Sequence, residues 1–261
     1  MEQITLNCLN SNLAFSEMNF ELHGPDSILL FAVKLETFKD DVFYLSRLCT
    51  PKELARSRRY LSENDSKRFV ITRGLLRLVL AEVLNKKAED IELEIGENKK
   101  PKLKDNSLGI NFNISHSSDC ALIAISKSPV GVDVENAQNL IEYAPIMDTC
   151  FSINEKIYVD VHADSLKAFY TLWTRKEAVL KLFGKGIDDD IKLIEVLDGQ
   201  NLVDSAVFES KNIDLQVLSL DLHEGKIAAL ACLNSVHLDQ LKFINLNEDI
   251  LKGKQIEQLG V

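Results

Sequence analysis

Gly131-Val132-Asp133-Val134-Glu135 and, about forty residues on, Trp173-Thr174-Arg175-Lys176-Glu177-Ala178 running to Lys181 and Gly184-Lys185-Gly186 decide how this chain is read. The first stretch alternates apolar and acidic residues, as a strand with one buried face does, so Asp133 and Glu135 point to the same side. The second has helical spacing, with Trp173, Glu177 and Lys181 forming one row at i, i+4. Carboxylates from a strand and a helix make an all-oxygen site suited to Mg²⁺, which completes its shell with water and substrate phosphates. The pair of segments therefore points to chemistry on a phosphorylated substrate.

Working outward, Ile28 to Leu35 predicts a strand. Thr50 as N-cap and Pro51 at the first helical position predict a short helix to Tyr60, and a longer helix follows from about Asp65 to Leu84. Strands are predicted at Ile91–Ile95, Ile110–Ile114, Ala121–Ser126 and Val130–Glu135. A second helix begins near Ser165 and stops at Gly184, a natural C′ glycine. Strands are predicted after it at Ile191–Leu197, Ala206–Glu209, Leu215–Leu220 and Ile227–Leu233. The apolar runs Ala121 to Ser126 and Ala228 to Leu233 hold similar places in the two patterns, which suggests a duplicated α+β unit. The predicted organisation is two α+β halves, 1–129 and 130–261, with the site where they meet.

The chain has 261 residues, ample for a large core, and its 46% hydrophobic and 27% charged content is that of a soluble globular protein. Its 40 acidic against 30 basic residues give a net charge of −10, which argues against nucleic acid as a partner but leaves room for a local basic pocket. The five cysteines are odd in number and lack metal-ligand spacing, so they are predicted to be buried thiols. No basic flank with an apolar run opens the sequence, and no apolar stretch approaches the roughly 18 residues of a membrane span, so the expectation is a cytoplasmic protein away from membranes.

On the helix from Ser165, at about 100° per residue, Leu166, Phe169, Leu172, Trp173, Val179, Leu180 and Phe183 fill one arc. Glu177 and Lys181 stand at its edge and Lys176 falls inside it, so each needs an ion, a salt bridge or an escape to solvent. Snorkelling of Lys176 and a surface Glu177–Lys181 pair is the bland alternative. On the earlier helix Arg73 projects from a sector of Phe69, Leu76, Leu80, Val83 and Leu84, with Arg77 at its flank. A guanidinium there either holds an anion or pairs internally with a carboxylate. Lys99, Lys100 and Lys102 around Pro101 add a basic turn. Ser115 and His116 are adjacent and lack a Gly-x-Ser-x-Gly turn, so His116 reads as a phosphate donor and not as a hydrolase base. The other histidines, His23, His162, His223 and His237, show no ligand-like spacing.

Taken in order, Phe112-Asn113-Ile114-Ser115-His116-Ser117, Gly131 to Glu135, Phe151-Ser152 with Glu155, and Trp173-x-x-Lys176-Glu177-Ala178-x-x-Lys181-x-x-Gly184-x-Gly186 resemble the 4′-phosphopantetheinyl transferases, in particular the larger surfactin-synthetase-activating type. The resemblance covers about Arg58 to Ile187. It implies two similar α+β halves related by a pseudo-twofold, with the active site in their cleft. It implies transfer of the phosphopantetheine arm of coenzyme A to a serine of an apo acyl or peptidyl carrier protein, with release of adenosine 3′,5′-bisphosphate. Carried over by position, Asp133, Glu135 and Glu177 would hold Mg²⁺, and Glu177, Lys181 and His116 would serve catalysis. Arg73, Lys100, Pro101, Ser115, His116 and Lys181 would hold the coenzyme. The family's Gly-Lys-Pro turn has Lys99 in place of its glycine here, and the arginines usual between Glu135 and Phe151 are absent.

The physical reading agrees with this reaction, since attack on a pyrophosphate needs charge neutralisation and in-line placement of the nucleophile. The serine proton has two candidate acceptors, Glu177 or a metal-bound water. The expectation is thus a Mg²⁺-dependent transferase acting as a monomer. The alternatives are another Mg²⁺-dependent phosphoryl or nucleotidyl transferase, or a non-catalytic carrier-binding module.

Overall fold

The computed structural model describes residues 3–11, 13–96, 100–138, 142–209, 213–222, 224–233 and 236–252; Lys99 and His223 lie outside them. In chain order the strands are β1 (Gln3–Ser11), β2 (Ile28–Lys34), β3 (Leu93–Ile95), β4 (Pro101–Leu103), β5 (Asn111–Ser117), β6 (Cys120–Ser126), β7 (Val130–Asn136), β8 (Gly199–Asp204), β9 (Leu215–Leu222), β10 (Lys226–Leu233) and β11 (Leu241–Leu246). The α-helices are α1 (Val42–Arg47), α2 (Pro51–Ser57), α3 (Glu63–Leu84), α4 (Ala144–Cys150), α5 (Ile153–Val161) and α6 (Ser165–Phe183).

The fold is α+β, and one motif occurs twice. In the first half β2 leads through α3 to the hairpin β5–β6, and β2 pairs antiparallel with β6. In the second, β7 leads through α6 to the hairpin β9–β10, and β7 pairs antiparallel with β10. The sheets run β11-β2-β6-β5 and β7-β10-β9-β1-β8. The division after residue 129 falls between β6 and β7, yet each sheet takes one strand from the far end of the chain. β1 lies parallel to β9 in the second sheet, and β11 lies parallel to β2 in the first.

Alternation along the strands sorts three cores. Leu29, Phe31 and Val33 of β2 and Ala121, Ile123 and Ile125 of β6 pack on α3. Their neighbours Ile28, Leu30, Leu122 and Ala124 instead meet Val132, Val134, Leu218, Leu220 and Leu230 of the other sheet. Behind that second sheet, Val217, Ile227, Ala229 and Ala231 pack on α6. The result is four layers, helix, sheet, sheet and helix, each sheet being apolar on both faces because both are covered.

Two predicted strands are turns. Ile191–Leu197 opens as a 3-10 turn at Asp189–Leu193, and Ala206–Glu209 lies in another at Ser205–Phe208. Ile191, Ile194 and Val196 are buried as the apolar pattern suggests, but the carbonyls of Ile191 and Ile194 accept from Lys176 Nζ and not from a neighbouring strand. The predicted helix stop holds: Gly184 has φ +67°, and its region caps α6.

Helix α6 lies close on β7 at Gly131. A Cβ there would stand 2.0 Å from the Ala178 carbonyl oxygen and 2.5 Å from the Leu182 nitrogen, both backbone atoms that no rotamer change relieves. This contact sets the depth of the helix over Asp133 and Glu135. Gly131→Ala is expected to destabilise the protein by about 3 kcal/mol or more, an overpacking cost at its upper end, read as a lower urea midpoint.

Candidate active site

The site forms where the edge strands β5 and β7 of the two sheets meet beneath α6. The Asn113 side-chain oxygen accepts from Val132 N at 2.8 Å, and Ser115 Oγ accepts from Val134 N at 3.4 Å. Side chains of one edge thus satisfy backbone donors of the other. In the same register Ser115 Oγ donates to Asp133 Oδ1 at 2.8 Å, and Ser117 Oγ donates to Glu135 Oε2 at 2.8 Å. From above, Lys181 Nζ reaches Asp133 Oδ1 at 2.6 Å and Ser115 Oγ at 3.0 Å. The other Asp133 oxygen, Oδ2, is buried without a hydrogen-bond partner.

Asp133, Glu135 and Glu177 share this space, and the Asp133 charge raises the proton affinity of the two glutamates. Burial, then the Asp133 charge, pushes Glu177 up to about 7, while Lys181 pulls it down and Glu135 adds to the rise. Burial and Asp133 raise Glu135 as well, against Ser117, Lys181 and a hydrogen bond from Trp173. Among the described residues no three His, Cys, Asp or Glu side chains converge into a ready-made metal cage. The bland surface pairing of Glu177 with Lys181 is not what forms, since the Lys181 ammonium goes to Asp133.

The remaining predicted residues sit around this centre. His116 is exposed on β5, and its ring is held below the ordinary histidine range, first by its desolvating surroundings and then by the cations Arg68, Lys181 and Arg73. Lys100 Nζ donates to the carbonyls of Lys181, Leu182 and Val130 at 2.5, 3.4 and 3.4 Å, so its ammonium caps α6 and ties it to β7. Burial and the Lys181 charge lower Lys100 to about 8. Pro101 opens β4 opposite Ile95, and with Lys100 it lines a cleft of about 640 Å³ that ends at Leu182, Phe183 and Gly184.

Arg73 is buried on α3, its guanidinium 5.3 Å from the Phe69 ring centre, and its Nε lies 3.9 Å from Glu53. Glu53 is held instead by Arg77, at 2.8 and 3.3 Å, while Arg56 also lies over Phe69. One carboxylate therefore faces two guanidiniums, and Arg73 has the weaker hold on it, with Arg56 adding a third positive charge beside Arg73. Burial lowers the Arg73 pKa first of all, and Arg56 and Arg77 add to that.

The sequence reading quoted Asn113 and Ser117 only within their motif and assigned no role to either, nor to Arg68, which donates to Ser118 O at 2.7 Å. Alternation on β5 offered a signal for the first two, since Asn113, Ser115 and Ser117 share one face as Asp133 and Glu135 do on β7. Lys176 does not snorkel: it is fully buried, 2.8 Å from an equally buried Glu155.

The Glu177 shift has a testable sign. Its folded pKa lies above the ordinary value, so the folded protein holds the proton more tightly and Glu177 lowers stability progressively as pH rises from about 4.5 to about 7. Without divalent cations, Glu177→Gln is expected to gain stability over the parent across that window and to level off above it. The gain, on the order of a kcal/mol after solvent screening, is read from urea unfolding at pH 5 and pH 8.

A family model described as 4′-phosphopantetheinyl transferase superfamily matches residues 129–232, and one described as 4′-phosphopantetheinyl transferase, N-terminal, matches residues 36–128. The 4′-phosphopantetheinyl transferase gsp of Aneurinibacillus migulanus is 35% identical over 131 residues, 49% of this chain and 53% of that protein. Psf-1 of Bacillus pumilus, of the same description, is 30% identical over 167 residues, 60% of this chain and 70% of the relative. Sfp of Bacillus subtilis is 30% identical over 142 residues, 53% and 61% of the two chains. The chain thus spans from about half to 70% of the length of these relatives. With both halves matched and Psf-1 covered over 70% of its length at 30% identity, the chain belongs to the 4′-phosphopantetheinyl transferase superfamily.

Proposed function

We propose that the protein transfers the 4′-phosphopantetheine group of coenzyme A to a serine of an apo acyl or peptidyl carrier protein, with Mg²⁺ at Asp133, Glu135 and Glu177. The relatives that match it are named for phosphopantetheinyl transfer. The observation that carries the metal reading is Asp133 Oδ2, a buried carboxylate oxygen without a partner, beside two carboxylates whose proton affinity its charge raises. Three carboxylates face the single Lys181 ammonium, an excess of negative charge that a divalent cation would offset, and an all-oxygen set suits Mg²⁺ over softer metals. When bound, the ion would neutralise charge developing on the pyrophosphate oxygens.

The chain's own groups do the rest. The carrier serine oxygen bonds to the β-phosphorus while the bond from that phosphorus to the bridging oxygen breaks, and adenosine 3′,5′-bisphosphate leaves. The serine proton passes to Glu177 or to a water beside it. Lys181 keeps one N–H for the phosphates after binding Asp133 and Ser115, and His116 offers a ring donor at the mouth. Arg73 would take the 3′-phosphate, because Glu53 is already committed to Arg77. Lys100 would reach the nucleotide only by releasing the α6 carbonyls, so Pro101 at the start of β4 is the firmer contact. We place the protein in the cytoplasm as a monomer. No helix among the described residues is long and apolar enough to cross a membrane, and all five cysteines are free and buried.

Incubation with coenzyme A, Mg²⁺ and an apo carrier protein should add one phosphopantetheine to the carrier by mass. Asp133→Ala should lower the rate by a factor of about 10² or more while the protein stays folded. An unmodified carrier with every class of carrier tried would exclude this function and favour a carrier-binding module. A nucleotidyl mass increment would favour the other Mg²⁺-dependent transferase. For Arg73→Ala, coenzyme A affinity should fall by about 1.5–3 kcal/mol, the worth of a charge-assisted pair, while dephospho-coenzyme A affinity changes little. Equal losses for both in calorimetric titrations would return Arg73 to a structural pairing with Glu53.

A further inference from the structure

We infer that Ser115 and Ser117 are positioning residues. Each fixes one oxygen of a β7 carboxylate and so presents the carboxylate to the cation, and neither hydroxyl donates to the coenzyme. This rests on the reading above that Asp133 and Glu135 hold a divalent ion.

The argument starts from register. Ser115 and Ser117 are two apart on β5, Asp133 and Glu135 are two apart on β7, and both hydroxyl–carboxylate hydrogen bonds measure 2.8 Å. One strand edge thus presents a hydroxyl to each acidic residue of the other. Asn113 extends the same ladder by accepting from Val132 N at 2.8 Å, which locks the sliding position of the two strands.

The capacity of Ser115 is then used up. A serine hydroxyl has one proton to donate and two lone pairs. The proton goes to Asp133 Oδ1, and the lone pairs receive Lys181 Nζ at 3.0 Å and Val134 N at 3.4 Å. Nothing remains for a phosphate oxygen, which needs a donor. The Ser115 hydroxyl therefore acts behind the carboxylate and not as a donor to the coenzyme.

The carboxylates carry the complementary mark. Asp133 Oδ1 receives both Ser115 and Lys181, whereas Oδ2 has no partner despite being buried. Glu135 commits Oε2 to Ser117. Asp133 is thus held by one oxygen, and Glu135 is held by Ser117 at Oε2 and by a further hydrogen bond from Trp173; a carboxylate held in this way has its rotamer set before the ion arrives. Ser115 and Ser117 belong to the first half and the carboxylates to the second, so docking of the halves is what assembles the site.

The test uses the full chain with Mn²⁺ as the probe, free of coenzyme A and carrier, and reads bound against free ion by electron paramagnetic resonance. Ser117→Ala should weaken Mn²⁺ affinity by about 10- to 100-fold, the usual cost of removing a group that orients a metal ligand. Ser117→Thr, which keeps the hydroxyl, should restore it. Coenzyme A affinity measured in chelator should stay at the parent value in Ser117→Ala and Ser115→Ala. Parent-like Mn²⁺ affinity in Ser117→Ala would overturn the inference and leave the cation site standing, as would loss of chelator-insensitive coenzyme A binding in Ser115→Ala. Should Ser115→Ala fail to fold, the Ser117 pair decides alone. If the parent protein itself takes up no Mn²⁺, with or without coenzyme A, the cation reading fails and this inference falls with it.

Discussion

Everything in this protein that concerns its site depends on one seam, the meeting of strands β5 and β7. A bare sheet edge exposes unpaired N–H and C=O groups, which proteins cover or blunt. Here two edges from different sheets cover each other without merging into one sheet. The Asn113 and Ser115 side chains take the place of carbonyls and accept from Val132 and Val134. Because side chains do the joining, the strands stay far enough apart for carboxylates to stand between them and α6. A direct β-ladder would have used the same N–H groups and removed the need for polar side chains on β5.

The second constraint is the seating of α6. Gly131 allows the helix backbone onto β7, and Lys100 holds its last carbonyls. Midway along, Arg175 and Lys176 are fully buried cations, a costly arrangement unless their hydrogen bonds are complete. They are well satisfied. Arg175 meets Ser219, Val196 O, Asn10 and Asp198, and Lys176 meets Glu155 and the carbonyls of Ile191 and Ile194. Apolar residues could seat the helix as firmly, but these polar anchors also fix its rotation. Rotation is what matters for Glu177, the next residue in the chain.

These two constraints explain which parts were legible in the sequence. The period of two at Asp133 and Glu135, the row Trp173, Glu177 and Lys181, and the stop at Gly184 are local patterns, and the structure keeps all of them. The turn at Asp189–Leu193 was not legible, because its apolar spacing is that of a strand while its carbonyls are claimed by Lys176 from another element. The places of β1 and β11 were equally hidden, since each joins a sheet built mainly from the far half of the chain. Lys100 was read as a ligand contact from its motif, and only the three-dimensional position of α6 shows carbonyls waiting for it.

The site is finally a place of opposed charge, which the net value of −10 conceals. One wall, from α2 and α3, sets Arg73 and Arg77 against a single Glu53, with Arg56 adding its charge beside Arg73. The other, from β7 and α6, sets Asp133, Glu135 and Glu177 around Lys181. A ligand carrying phosphates at two points can meet the first wall directly, through guanidinium hydrogen bonds. It can meet the second only through Lys181 or a bound cation, because carboxylates and phosphates repel. On the proposed reading, the half that supplies the arginines grips the nucleotide end, whereas the half that supplies the carboxylates engages the reacting pyrophosphate. The ligand then spans the same seam that joins the halves, so its binding and their docking favour each other through shared contacts.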